Sequence, residues 1–215
     1  MNLSVIGTKG AGKGTQISKL VDNFNLLPFS TGEMFRQASK TKTPLGIIAA
    51  KAMNRGELVP DEIVNGLVEE WLWTTTPEKG IIFDGFPRTL HQAEFLDGTL
   101  KDMGRNLDAA VYLEVSQQMV IERRSGRRVC RTCGDEFHLR SAPFKECRFH
   151  KCRGESLRPF DEDRPEVLFT LIDLFMRGVQ PVLDYYRRTD RLVPVNGDGS
   201  ESEIHETILQ AVMRF

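Results

Sequence analysis

The 215-residue chain has no long hydrophobic run; nothing approaches the roughly 18 consecutive apolar residues that span a bilayer. It has almost no charge bias, with 29 Lys and Arg against 30 Asp and Glu, so no global pull toward nucleic acid or an anionic membrane is expected. It lacks internal repeats and low-complexity linkers. One sizeable core with small insertions fits the length, rather than a string of independent domains. No charged n-region leads into a small-residue cleavage site, and a cytoplasmic protein is the expectation. Cysteine is scarce and confined. Cys130, Cys133, Cys147 and Cys152 all fall between Arg123 and Arg158, a stretch with eleven Lys or Arg against four Asp or Glu. In a reducing compartment such clustering favours metal ligation over disulfides.

What is present is patterned. Asn2–Ile6 reads as a short strand running into IGTKGAGKGTQ, Ile6 to Gln16. Gly7-x4-Gly12-Lys13 follows the phosphate-loop pattern, in which backbone N–H groups cradle phosphates and the lysine reaches the outer ones. The hydroxyl that usually follows the lysine arrives one place late, at Thr15 after Gly14. From Thr15 to Phe24 a helix is expected, with Ile17, Leu20, Val21 and Phe24 on one face. FSTGEMFR starts a second helix, with Thr31 as the expected cap, and residues 40–65 look helical and amphipathic, broken at RGELVPDE. Gly80–Asp84 and Ala109–Val115 read as buried strands, Val167–Val179 as an apolar helix, Arg191–Val195 as a last strand and Glu203–Phe215 as a closing helix. This alternation predicts an α/β fold, a parallel sheet flanked by helices on both faces. Asp84 ends an apolar strand, where a carboxylate can hold the water shell of Mg²⁺. Arg36, Arg88, Arg123 and Arg127 are available to gather phosphate oxygens, and phosphoryl transfer needs such positioning and charge more than covalent chemistry.

Five motifs, GAGKGTQ, STGEMFR, GELVPDE, FDGFPRTLHQA and GRRVCRTCG, occur in the order and spacing of adenylate kinases of the long-lid type, which the chain resembles over essentially its whole length. In that family Gly14 followed by Thr15 is the normal variant of the loop, whereas Lys9 stands where proline is usual. The resemblance implies a nucleoside monophosphate kinase fold and reversible transfer between Mg²⁺-bound ATP and AMP, giving two ADP. It implies that Gly10, Ala11, Gly12, Lys13, Gly14 and Thr15 cradle ATP phosphates, and that Arg123, Arg127 and the loop near Gly199 reach the same nucleotide. Lys13, Asp84, Arg36, Arg88, Arg123 and Arg127 would carry the transfer. Thr31, Arg36, Glu57, Leu58, Val59, Gly85, Phe86, Pro87, Arg88 and Gln92 would form the AMP site. Gln92 is the expected reader of the adenine edge, since its amide donates and accepts at once. Residues 30–59 would close over AMP and 127–164 over ATP, with 1–29, 60–126 and 165–215 as the core. A monomer is expected, with no nucleic-acid or membrane partner.

Cys130-x2-Cys133 has the form of a zinc knuckle. The usual second pair is replaced by Cys147, His150 and Cys152. Structural Zn²⁺ takes four N or S ligands in a tetrahedron, so Cys130, Cys133, Cys147 and Cys152 are the first choice, with His150 as the alternative partner of Cys147. Free thiols, or a basic nucleic-acid surface, are the competing explanations of this segment; it lacks the aromatic interleaving of the latter. Beyond it the chain departs from the family. Phe160 and Leu171 stand where two phosphate-contacting arginines are usual, with Arg158 and Arg164 nearby as stand-ins for the first. Slow transfer is therefore expected, and a nucleotide-binding module with little transfer, or a kinase for another monophosphate, remain as alternatives.

Overall fold

Strands covered on both faces need near-continuous apolar runs, and three segments of this chain supply them. A computed structural model describes residues 1–40, 47–48, 59–74, 79–140, 142–146, 152–160 and 163–215, the side chains of Arg36, Ser39 and Lys40 left aside. β1 (Leu3–Ile6) is buried at every residue, and β3 (Ile81–Asp84) and β4 (Ala109–Glu114) at all but the last. With β2 (Leu27–Ser30) and β8 (Leu192–Asn196) they form a parallel sheet in the order β2-β3-β1-β4-β8.

Alternation along these strands feeds two cores. On one face Leu3, Val5, Ile82, Val111 and Leu113 meet Ile17 and Leu20 of α1 (Lys13–Phe24) and Ile204 and Ile208 of α7 (Glu201–Val212). On the other, Phe29, Phe83 and Tyr112 meet Val64 and Val68 of α3 (Asp61–Thr74), Leu96 and Leu100 of α4 (Leu90–Asp102), and Val182 and Leu183 of α6 (Pro165–Arg188). At about 1.5–3 kcal/mol for each fully buried large side chain, this two-sided core dominates stability. α2 (Thr31–Lys40) follows β2 directly.

A second, antiparallel sheet is built from the cysteine-bearing segment: β5 (Arg127–Cys130), β6 (Glu136–His138) and β7 (Leu157–Arg158), in the order β6-β5-β7. It is pinned to the end of α5 (Gln117–Ser125) by His138, whose Nε2 lies 2.8 Å from the Arg123 carbonyl. A Cβ on Gly126 would stand 2.5 Å from that imidazole, so the junction has room only for glycine. Among the described residues no helix is long and apolar enough to cross a membrane.

The sequence expectations hold for the sheet and the flanking helices, with differences that have local causes. α1 starts at Lys13 rather than Thr15, and α6 extends from Pro165 to Arg188. Ser30, not Thr31, caps α2, its Oγ accepting from the Glu33 N–H at 3.4 Å. β2 is not legible in the sequence, because an edge strand with Pro28 and one buried residue in four carries no clean alternation. Nor is α4, although Thr89 caps it by accepting from the Gln92 N–H. Of the amphipathic stretch 40–65, the described part includes Ile47–Ile48, which is helical, and the start of α3.

Candidate active site at the phosphate loop

In an open parallel sheet, ligands sit beyond the carboxyl ends of the strands, where the strand order reverses. Here that point is β1, with β3 and β2 on one side and β4 and β8 on the other. The loop leaving β1 is tight. A Cβ on Gly7 would stand 3.3 Å from the Leu113 carbonyl, and Gly10 and Gly12 both hold φ +93°, a region side chains rarely adopt. The Ala11 N–H donates to the Thr8 carbonyl at 3.1 Å, folding the loop onto the first turn of α1, whose N-terminus favours anions.

Lys13 lies at the centre. Its Nζ donates to the Gly7 and Thr8 carbonyls at 2.8 and 3.1 Å, closing the loop around itself. Burial pulls its pKa down to about 8; Arg88, Lys9 and Arg124 push the same way and Asp84 opposes them. A cation so placed is best satisfied by an arriving anion.

The end of β3 faces it. Asp84 accepts from Ser30 Oγ at 3.3 Å, and Arg88 Nε donates to the Gly85 carbonyl at 2.8 Å. A Cβ on Gly85, where φ is +64°, would lie 3.3 Å from Arg88 Nη2 and 3.7 Å from Lys13 Cε. Lys13 and Arg88 thus converge above one glycine, beside the carboxylate of Asp84. Phe86, 1% exposed, and buried Pro87 form the floor, with Ser4 Oγ donating to the Phe86 carbonyl at 2.7 Å. Gln92, 2% exposed, has both ends of its amide engaged: Oε1 accepts from the Arg88 N–H at 2.8 Å and Nε2 donates to Asp61 Oδ1 at 2.7 Å. Thr89 Oγ1 donates to the other Asp61 oxygen at 2.7 Å. Thr31 and Val59 are buried, each 6% exposed.

On the opposite rim, Arg123 Nη1 donates to the Ala11 carbonyl at 3.2 Å, and its Nη2 to the Gly197 and Gly199 carbonyls at 2.7 and 3.4 Å. The phosphate loop, Arg123 and the loop at Gly199 are thereby joined. Gly14 and Thr15 are exposed at the mouth, and a Cβ on Gly14 would touch nothing. The Arg36 side chain, Glu57 and Leu58 lie outside the described residues.

Comparison with known proteins agrees with this geometry. A sequence model of the family described as adenylate kinase matches residues 5–191. An adenylate kinase of Carboxydothermus hydrogenoformans is 43% identical over 215 residues, all of both chains. One of Limosilactobacillus reuteri subsp. reuteri is 41% identical over 209 residues, 97% of this chain and 96% of its own. The chain belongs to the adenylate kinase family. As in the family, the parallel sheet carries a phosphate loop at the end of its first strand, here with Lys9 exposed beside it.

The segment from Arg127 onward carries the charges expected over ATP. Arg127 Nη2 pairs with Glu136 at 2.8 Å, Nη1 lies 3.5 Å from Asp163, and the guanidinium sits 4.3 Å above the Phe160 ring. Arg158 Nη1 donates to the carbonyls of Glu155 and Leu157, and Arg164 is the exposed N-cap of α6. One cation escaped sequence reading. Arg124, 4% exposed, forms an ion pair with the equally buried Asp163 and lies against Gly10. Its spacing from buried Val120, one helical turn earlier, was the available signal, for i and i+4 share a face.

The sulfur atoms of Cys130, Cys133 and Cys152 lie within 4.8 Å of one another. Thiolates at about 2.3 Å from one zinc stand about 3.8 Å apart, so the three are compatible with such a site. Cys152, 3.1 Å away, draws the pKa of Cys130 down to about 7, toward the thiolate a metal needs. Cys147 and His150 lie outside the described residues.

Proposed function

We propose that the protein catalyses reversible phosphoryl transfer between Mg²⁺-bound ATP and AMP, giving two ADP. The observation that carries the proposal is the convergence of Lys13 and Arg88 above Gly85, beside Asp84, at the carboxyl end of the sheet. Full-length similarity to proteins named adenylate kinase supports this reading over a binding module without transfer. Gly10 to Thr15 would cradle the ATP phosphates by backbone N–H groups, and Lys13 would exchange the Gly7 and Thr8 carbonyls for the outer phosphates. Mg²⁺, when bound with ATP, neutralises phosphate charge, and Asp84 is the carboxylate placed to hold its waters. Arg36, Arg88, Arg123 and Arg127 would gather the remaining oxygens. Gly199 would offer its backbone to the ATP base.

AMP would lie between Thr31, the segment Glu57, Leu58 and Val59, and the turn Gly85 to Arg88. Gln92 would trade Asp61 for the adenine edge. Residues 127–164 act as a lid over ATP and 30–59 close over AMP, excluding water as a competing acceptor. Zn²⁺ held by Cys130, Cys133 and Cys152, with Cys147 as fourth ligand, would staple the lid without entering the chemistry. A reducing cytoplasm suits those thiols, and a monomer suffices because one chain carries every group named. Coupled detection of ADP from ATP and AMP tests the assignment; CMP, UMP and GMP in parallel test the acceptor. ADP formation with AMP as the acceptor is expected, at a turnover reduced by Phe160 and Leu171. No ADP with any acceptor, in protein that binds ATP, would overturn it.

A further inference from the structure

Asp163 divides its carboxylate between two arginines. Oδ1 pairs with Arg124, on the core helix α5, and Oδ2 lies 3.5 Å from Arg127, at the root of the smaller sheet. The Asp163 and Arg124 side chains are 2% and 5% exposed, whereas Arg127 is 23% exposed. Leaving a buried carboxylate without its partner costs several kcal/mol. Two other contacts of Arg127 are weak ones. Glu136 is 60% exposed, where an ion pair contributes little, and the face of Phe160 is a modest electrostatic attraction.

Arg124 is also fixed from the other side. Gly10 leaves room for its stem: a Cβ there would fall 2.8 Å from Arg124 Cγ and 3.0 Å from Cδ. The phosphate loop and Arg124 are thus packed together, close enough that Arg124 contributes to the lowered pKa of Lys13.

We propose that Arg124 is a positioning residue for ATP: it keeps Asp163 neutralised so that Arg127 can leave that carboxylate for the nucleotide phosphates. The inference rests on the reading of Arg127 as an ATP ligand. With Arg124 present, turning Arg127 toward phosphate leaves a buried ion pair behind. Without it, Asp163 competes with the nucleotide for Arg127, and the arginine stays where it is. The pair also ties the lid exit to the floor of the phosphate loop, so this loop and α6 keep one register while Arg127 moves.

Steady-state kinetics with each nucleotide varied in turn test this. Arg124→Leu should raise KM for ATP about tenfold, the loss of roughly one charge-assisted hydrogen bond, with KM for AMP nearly unchanged. Arg124→Lys should retain most of the ATP affinity. Arg124→Leu/Asp163→Asn, which buries no net charge, should return KM for ATP toward the parent value. Asp163→Asn alone should leave it equal or lower, which keeps the test open if Arg124→Leu does not fold. Arg127→Gln separates the two claims. If it raises KM for ATP while Arg124→Leu does not, the inference falls and the reading of Arg127 stands. If Arg127→Gln leaves KM for ATP unmoved, the reading of Arg127 falls and takes the inference with it. An equal rise in both KM values for Arg124→Leu, unrelieved by Asp163→Asn, would make Arg124 merely structural and overturn the proposal.

Discussion

The five-stranded and three-stranded sheets are held by different means. In the larger one Leu3, Ile82 and Val111 are fully buried, and helices cover both faces. In the smaller one, of the described strand residues only Cys130 is buried, and among the described residues its cluster is Cys130 and Cys152 with Cys133, Phe137, Phe144 and Leu157 against them. A small unit gains most from a staple. The same small size suits it to move, because elements with few buried contacts open at low cost. One sheet positions Lys13 and Asp84 rigidly. The other carries Arg127 on a body whose ties to the core include His138 and Asp163.

The largest effect expected is on the rigid side. Lys13→Ala should reduce transfer about a thousandfold, near 4 kcal/mol of barrier. Its melting temperature should stay within about 2 °C of the parent, since this side chain serves ligand and loop rather than core. A mutant with near-native turnover would remove Lys13 from the site.

Next comes a pair that sets the two sheets against each other. Leu96→Ala, in the core, should lower global stability by about 3 kcal/mol with both KM values unchanged. Cys130→Ser should do the reverse: zinc is lost, KM for ATP rises about tenfold, and the main unfolding transition moves little. Thermal denaturation, metal analysis and kinetics on the two variants decide it. A protein that carries no zinc when prepared without chelator would refute the staple.

The smallest effect is the pH profile. Lys13, lowered from 10.5 to about 8, is ammonium at neutral pH and loses its charge as pH passes 8 in the free protein. Above that pH kcat/KM for ATP should fall, while kcat holds to higher pH because bound phosphate stabilises the ammonium. Between about pH 8 and 10.5 the unfolded chain binds this proton more than the folded one, so the stability contribution of Lys13 rises with pH there. Lys13→Arg should remove the alkaline limb; its persistence would assign the limb elsewhere.

How much of this was written in the chain differs between the two sheets. Glycine spacing, a lysine and an apolar strand declare the phosphate loop locally, because tight left-handed turns admit few residues. Buried strands such as Ile81–Phe83 declare themselves by lack of polar residues. The cysteine spacing likewise announced that Cys130, Cys133 and Cys152 would cluster. Other features depended on partners distant in sequence. β2 has no signal of its own and exists because Ile81–Asp84 pairs with it. Gln92 is expected from the sequence to read the adenine edge, yet Asp61, thirty-one residues away, occupies its amide. Arg124 reads as one basic residue among many, and only the fold brings Asp163 and Gly10 to it. Local geometry is fixed by backbone sterics and short-range periodicity; which charges share a buried space is fixed by how the elements pack, and no local spacing carries that.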